Sequence, residues 1–154
     1  MPVQTDPRSR PENREAPFEG LSPVAQPLTV AEDHQWATLA HFGGVIGFVP
    51  SFLIHRVFRG RGRFTEQEAL EAMNFTLLPS LVVVAGVLLA PVPFVGWFFA
   101  LAAAAAWLLL ALGSLAGGIA VNRGEPYLYR FNTRLYDRLA DRLRERSQGR
   151  AARP

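Results

Sequence analysis

The sequence predicts an all-α fold: a polytopic bundle of membrane helices followed by an amphipathic C-terminal helix. Three observations predict it. Ala72 to Asn122 runs fifty-one residues without a charged side chain, interrupted midway by Pro91-Val92-Pro93. A membrane helix needs about 20 apolar residues to cross a hydrocarbon core of roughly 30 Å, so this stretch holds two crossings and a tight turn. A second apolar segment, Trp36 to Phe58, precedes it, and a helix-periodic pattern of Leu and Arg follows it.

Composition narrows the classes further. A length of 154 residues allows one domain. Cysteine is absent, which excludes disulfides, thiolate catalysis and Cys-ligated zinc or iron–sulfur sites. All 16 basic residues are Arg. Charge is unevenly placed: residues 1–35 carry three Arg against six acids, residues 56–71 four Arg against three Glu, and residues 123–154 nine Arg against four acids. The basic parts adjoin the apolar segments, where Arg sets the orientation of membrane helices, so nucleic acid is not expected as a partner.

Along the chain, residues 1–31 hold half of the twelve Pro among polar residues and predict a disordered tail, as do residues 147–154. No apolar run lies in the first thirty residues, so no signal peptide is expected. The membrane domain is expected over 32–131, with segments at about 36–58, 69–90 and 94–121. The first contains Pro50, which removes a backbone donor. As one helix of 23 residues it rises about 34 Å and spans. Broken at Pro50, it becomes two half-helices, Trp36–Val49 and Pro50–Phe58, in a re-entrant hairpin that gives four segments in all. Composition favours the straight helix.

The Arg56–Arg63 loop matches neither GxxxxGK[ST] nor GxGxxG and reads as a basic loop beside anionic headgroups. Thr65 and Glu68 have the spacing of a capping box at the start of the second segment. Pro79 is expected to kink that segment, with Thr76 and Ser80 available to the freed backbone groups. The third, Phe94 to Val121, exceeds the core thickness and should tilt or project. From Tyr127 to Arg146 an amphipathic helix is expected, with Phe131, Leu135, Leu139 and Leu143 in one row and Arg130, Arg134, Arg138, Arg142 and Arg146 in another. Small residues at Gly43/Gly47, Gly86/Ala90, Gly113/Gly117 and Ser114/Gly118 predict close helix packing within the chain or on a second copy.

The basic loop 56–70 and the C-terminus are expected on the cytoplasmic side of the plasma membrane. A straight first helix puts the N-terminus outside, a re-entrant one inside. Candidate functional residues are the polar groups at membrane depth, His41, His55 and Asn74. For His41 the expected partner is a backbone carbonyl freed near Gly43–Gly47 or Pro50. Arg56, Arg59, Arg61, Arg63, Arg130, Arg134 and Arg138 are candidate contacts for anionic lipids. No carboxylate pair, Ser/His/Asp set or HExxH motif lies in or near the segments, so neither catalysis nor a cofactor, metal or small-molecule substrate is expected.

At Trp36–His41, Gly47–Ser51, Phe64–Phe75 and Ala120–Tyr127 the chain resembles a family of small bacterial membrane proteins of unknown function, distantly related to the Tic-twenty component of the chloroplast inner-envelope import machinery. The run Glu68 to Phe75 and the Gly124-Glu125-Pro126-Tyr127 motif are its specific parts, and it covers about residues 32–131. The resemblance implies a multi-pass helical protein with four hydrophobic segments and an inside N-terminus. The chain departs from it around Pro50 and at His55-Arg56. Together these readings point to a non-enzymatic structural or interaction component of a membrane assembly, in contact with the bilayer and with itself or other membrane proteins. An oligomeric pore or translocation component and a lipid-headgroup-binding regulator are the alternatives.

Overall fold

The structure is a computed structural model that describes residues 26–130 and 132–151. Five helices account for most of it: α1 (Val30–Gly43), α2 (Phe48–Phe58), α3 (Arg63–Leu89), α4 (Gly96–Asn122) and α5 (Leu135–Ala151). There is no strand among the described residues.

The first apolar segment is not a straight helix. It breaks at Gly44–Gly47, three residues before Pro50, because Gly47 takes φ = 126°, a conformation that side-chain-bearing residues rarely adopt. Pro50 then falls in the first turn of α2, where a missing N–H breaks no intrahelical bond. The helix preceding the break also starts earlier than expected. Thr29 caps α1 through a reciprocal box with Glu32, so ordered structure begins inside the stretch read as a disordered tail. Residues 1–25 and 152–154 of the expected tails lie outside the described residues.

α1 and α2 form a hairpin whose two ends return to the same place. The Asp33 carboxylate accepts the N–H groups of Phe64 and Thr65 at 3.2 and 2.7 Å, while the Thr65 hydroxyl donates to the Asp33 carbonyl at 2.7 Å. At the other end of the hairpin, Arg59 lies 4.0 Å from Glu66. Its tip reaches deeper along α3, where Phe48 N–H donates to the Ser80 hydroxyl at 2.9 Å. At about 1.5 Å per residue, neither the 14 residues of α1 nor the 11 of α2 reach 30 Å.

Two further local expectations change for the same reason. The first turn of α3 is capped by Asp33 from α1, not by a Thr65–Glu68 box, since Glu68 is engaged elsewhere. At Pro79, Thr76 donates to Ala72 O at 2.8 Å as expected of a hydroxyl beside a kink, but Ser80 serves the start of α2 instead.

α3 and α4, 27 residues each, extend about 40 Å and pack side by side. Small residues set their approach. A Cβ on Gly86 would lie 2.7 Å from Phe99 O and 2.8 Å from Ala103 Cβ. One on Gly118 would lie 2.7 Å from the Phe42 ring of α1, and one on Gly43 would lie 2.6 Å from Pro50. The small-residue pairs of the sequence are therefore used, at these positions, inside one chain.

After α4 the chain does not enter a helix at Tyr127. Residues 125–129 run as a non-helical strap laid back against α3, and α5 begins only at Leu135. It then continues to Ala151, past the expected start of a tail at 147. Pro126 prevents α4 from continuing through it, and the strap's amides are taken by side chains of α3, as follows.

Candidate functional site: a buried polar cluster under the C-terminal strap

Glu68 is 1% exposed and His41 is fully buried. They meet where α1, α3, α4 and the strap converge. His41 Nε2 lies 3.1 Å from Glu68 Oε2, and the same oxygen accepts the Tyr127 N–H at 3.1 Å. On the other side of the ring, His41 Nδ1 lies 2.8 Å from the Tyr129 hydroxyl. With the ring proton on Nε2, His41 donates to the Glu68 carboxylate and its Nδ1 accepts from the Tyr129 O–H, a tautomer that satisfies both contacts. Glu71, one turn further along α3, accepts the Tyr129 N–H at 3.0 Å.

The aromatic rings close the cluster. Tyr129 stacks on Phe75 with ring centres 3.8 Å apart and planes 2° from parallel, and its other neighbour is the His41 ring at 5.6 Å. Tyr127 stands edge-on to both. α4 contributes space: a Cβ on Gly117 would lie 2.6 Å from His41 Nδ1 and 2.8 Å from the Tyr129 hydroxyl. Burial pushes the Tyr129 phenol well above its usual pKa; Tyr127 and the carboxylates of Glu71 and Glu68 add to the rise, and the nearby Ser114 hydroxyl offsets part of it. Ser114 is itself fully buried and lies outside hydrogen-bonding geometry.

A second set of bonds ties α5 to α3. Asn74 Nδ2 donates to Asp137 at 3.0 Å, and Asn74 Oδ1 accepts the Asp137 N–H at 3.2 Å. Asn74 thus caps the first turn of α5 from another helix. Between α2, α3 and α5 lies a polar cleft of about 190 Å³, bordered by His55, Glu66, Tyr136 and Asp141.

Of the residues singled out in the sequence, His41 is the hub, but its partners are a carboxylate and a phenol rather than a freed carbonyl. His55 is half-buried at the cleft with Nδ1 unpartnered, and Asn74 bonds α5. Arg56, Arg59, Arg63, Arg130, Arg134 and Arg138 are exposed. Arg61 is half-buried, donates to Gln26 O at 2.8 Å and lies over the Phe58 ring. Glu68, Glu71, Tyr127 and Tyr129 were missed. Their signal was present: two carboxylates one turn apart on the face that also carries Asn74, at the edge of a charge-free run. No cluster of three metal-ligating side chains occurs among the described residues.

The outside of the molecule defines its class. In α3 only 39% of the most apolar stretch is buried, and in α4 only 22%. A soluble core helix of that length would be enclosed. Instead Leu81, Val84, Leu88, Trp97, Leu108 and Leu112 face outward around a well-packed interior, an apolar perimeter suited to lipid. The chain is a helical membrane protein. It belongs to the magnetosome magnetite crystal formation protein family, whose model matches residues 32–136. That membership agrees with the small bacterial family seen in the sequence and lends no support to a link with the Tic-twenty component. No curated protein and no solved structure matches the chain at a significant level.

Proposed function

We propose that the chain crosses its membrane twice, through α3 and α4, carries α1 and α2 as a re-entrant hairpin, and acts as a non-enzymatic structural component of a membrane assembly. The observation that carries this reading is the return of both hairpin ends to the N-terminal turn of α3, through Asp33 with Thr65 and Arg59 with Glu66. Two half-helices of this length enter and leave on one side. The ends of the hairpin, the 59–62 loop, the strap and α5 then share a face, and its Arg content makes that face cytoplasmic.

The cluster under the strap suits a fastener more than a reaction centre. His41, Glu68 and Tyr129 are spent on one another, and Glu68 and Glu71 each also accept one backbone amide of the strap. The family's description concerns magnetite crystal formation. Carried to this chain, it supports a location in the magnetosome membrane, where a non-enzymatic component would shape or organise the membrane or recruit others.

Reporters fused to the N- and C-termini test the topology: both are expected on the cytoplasmic side, and opposite sides would restore a straight first span. Fractionation of the source cells tests the location. The protein is expected with membranes enclosing mineral, and its confinement to other membranes would end that part of the reading.

A further inference from the structure

We propose that α5 is an interfacial helix that holds anionic lipid headgroups through Arg138, Arg142 and Arg146 while Leu139 and Leu143 enter the acyl layer. This rests on the membrane placement of α3 and α4. Asn74 fixes where α5 starts, at the edge of the charge-free run of α3. Successive residues of a helix turn by about 100°, so its two faces can be read directly. Tyr136, Asp137 and Ala140 face α3 and the cleft. The remaining arc carries Leu135, Arg138, Leu139, Arg142 and Arg146, with Glu145 at one edge and Leu143 at the other.

Among the described residues the arc is half-buried only at Leu135 and open beyond it. Leu139 and Leu143 are 44% and 65% exposed, and Arg138, Arg142 and Arg146 are exposed with them. Of the acids of α5, Asp137 is bonded to Asn74 and Asp141 lies 3.9 Å from Arg144, which leaves the exposed Glu145 at the edge of the arc against Arg138, Arg142 and Arg146. What remains outward is mostly cationic and apolar in alternation, the chemistry of an anionic bilayer surface. Across the cleft, α2 runs alongside and exposes its own apolar row, Val49, Leu53 and Val57, nearly to its C-terminal end. The apolar exposure of α2 thus extends to within two residues of Arg59, which borders the same cleft as Glu66 and α5.

The chain lacks cysteine, so single cysteines report position without background. Spin labels on Leu143→Cys (outer arc), Ala140→Cys (inner face) and Leu108→Cys (perimeter of α4) are compared in nanodiscs of phosphatidylcholine alone and with phosphatidylglycerol. In the anionic discs the label at 143 is expected to gain oxygen accessibility and lose accessibility to a water-soluble nickel chelate; the labels at 140 and 108 are expected to be unchanged. Each Arg near an anionic surface raises the bound-to-free ratio of α5 about fivefold, so Arg138→Gln, Arg142→Gln and Arg146→Gln together should lower that ratio about a hundredfold. A label at 143 that stays in water in both discs overturns the proposal, as does equal burial in neutral lipid. Spin–spin broadening at 143 would show a second copy on this face and also overturn it. If the label at 108 reports water, the membrane reading itself fails, which separates the two.

Discussion

Glu68 and Glu71 stand one turn apart on α3 and hold the N–H groups of Tyr127 and Tyr129 at 3.1 and 3.0 Å. Side chains three apart on a helix are roughly 5–6 Å from one another, and alternate amides of an extended chain about 6.6 Å apart, so the two spacings match. A helix face thereby presents a two-rung acceptor ladder to an extended segment that has no strand to pair with among the described residues. This is why the strap after α4 stays extended and α5 is delayed to Leu135.

The two carboxylates should not be equivalent. Glu68→Ala would leave the buried His41 ring and the Tyr127 amide without an acceptor, a loss of about 3 kcal/mol. Glu71 is half-buried and serves one side-chain bond, so Glu71→Ala should lose about 1.5 kcal/mol. Unfolding in mild detergent, followed by tryptophan fluorescence, gives the order. His41→Ala combined with Glu68→Ala should cost less than the sum of the two single changes, because each already leaves the other unpaired.

Gly117→Ala is expected to destabilise the protein by about 1–3 kcal/mol, since the added carbon meets His41 and Tyr129. Neither ring can move aside without breaking its hydrogen bonds. Gly124, with open space around it but φ = 83°, provides a contrast: Gly124→Ala acts only through the backbone, and replacement by Asn, which tolerates that conformation, should restore most of the loss. Thermal unfolding of the three variants decides it.

The class of the fold was legible because lipid imposes a one-dimensional rule: length and lack of charge mark α3 and α4 without reference to anything distant in sequence. The hairpin was half legible. Pro50 drew attention to a break, yet the break lies at Gly47, whose left-handed φ is a tertiary outcome. The cluster was hardest to read. His41 and Glu68 are 27 residues apart and Tyr129 lies 88 residues from His41, so only packing could bring them together. Thr65 and Glu68 show the cost of local pattern: the capping spacing is real, but Asp33 and His41 compete for those groups and win.

Asn74→Ala should loosen α5 without unfolding the bundle. The change removes the cap on the Asp137 amide and the bond to its carboxylate, costing α5 about 1 kcal/mol. Hydrogen exchange in residues 135–146 is expected to speed up while α3 and α4 keep their protection. Uniform loss of protection would mean that Asn74 supports the core instead.

Tyr129 provides a test by pH. Its folded pKa is raised, chiefly by burial, so the folded protein keeps the phenolic proton where the unfolded chain releases it at about 10. Stability from this group is intact below that value and falls as pH climbs above it, because the unfolded state then binds fewer protons than the folded one. Ultraviolet titration should show the difference between wild type and Tyr129→Phe appearing only well above pH 10, and coinciding with loss of the fold. In wild type the strap should detach at alkaline pH, measured as proteolysis after Arg123 and Arg130. Ionisation of Tyr129 in step with free tyrosine, in a protein still folded, would show that the phenol is open to water and that His41 is not its partner.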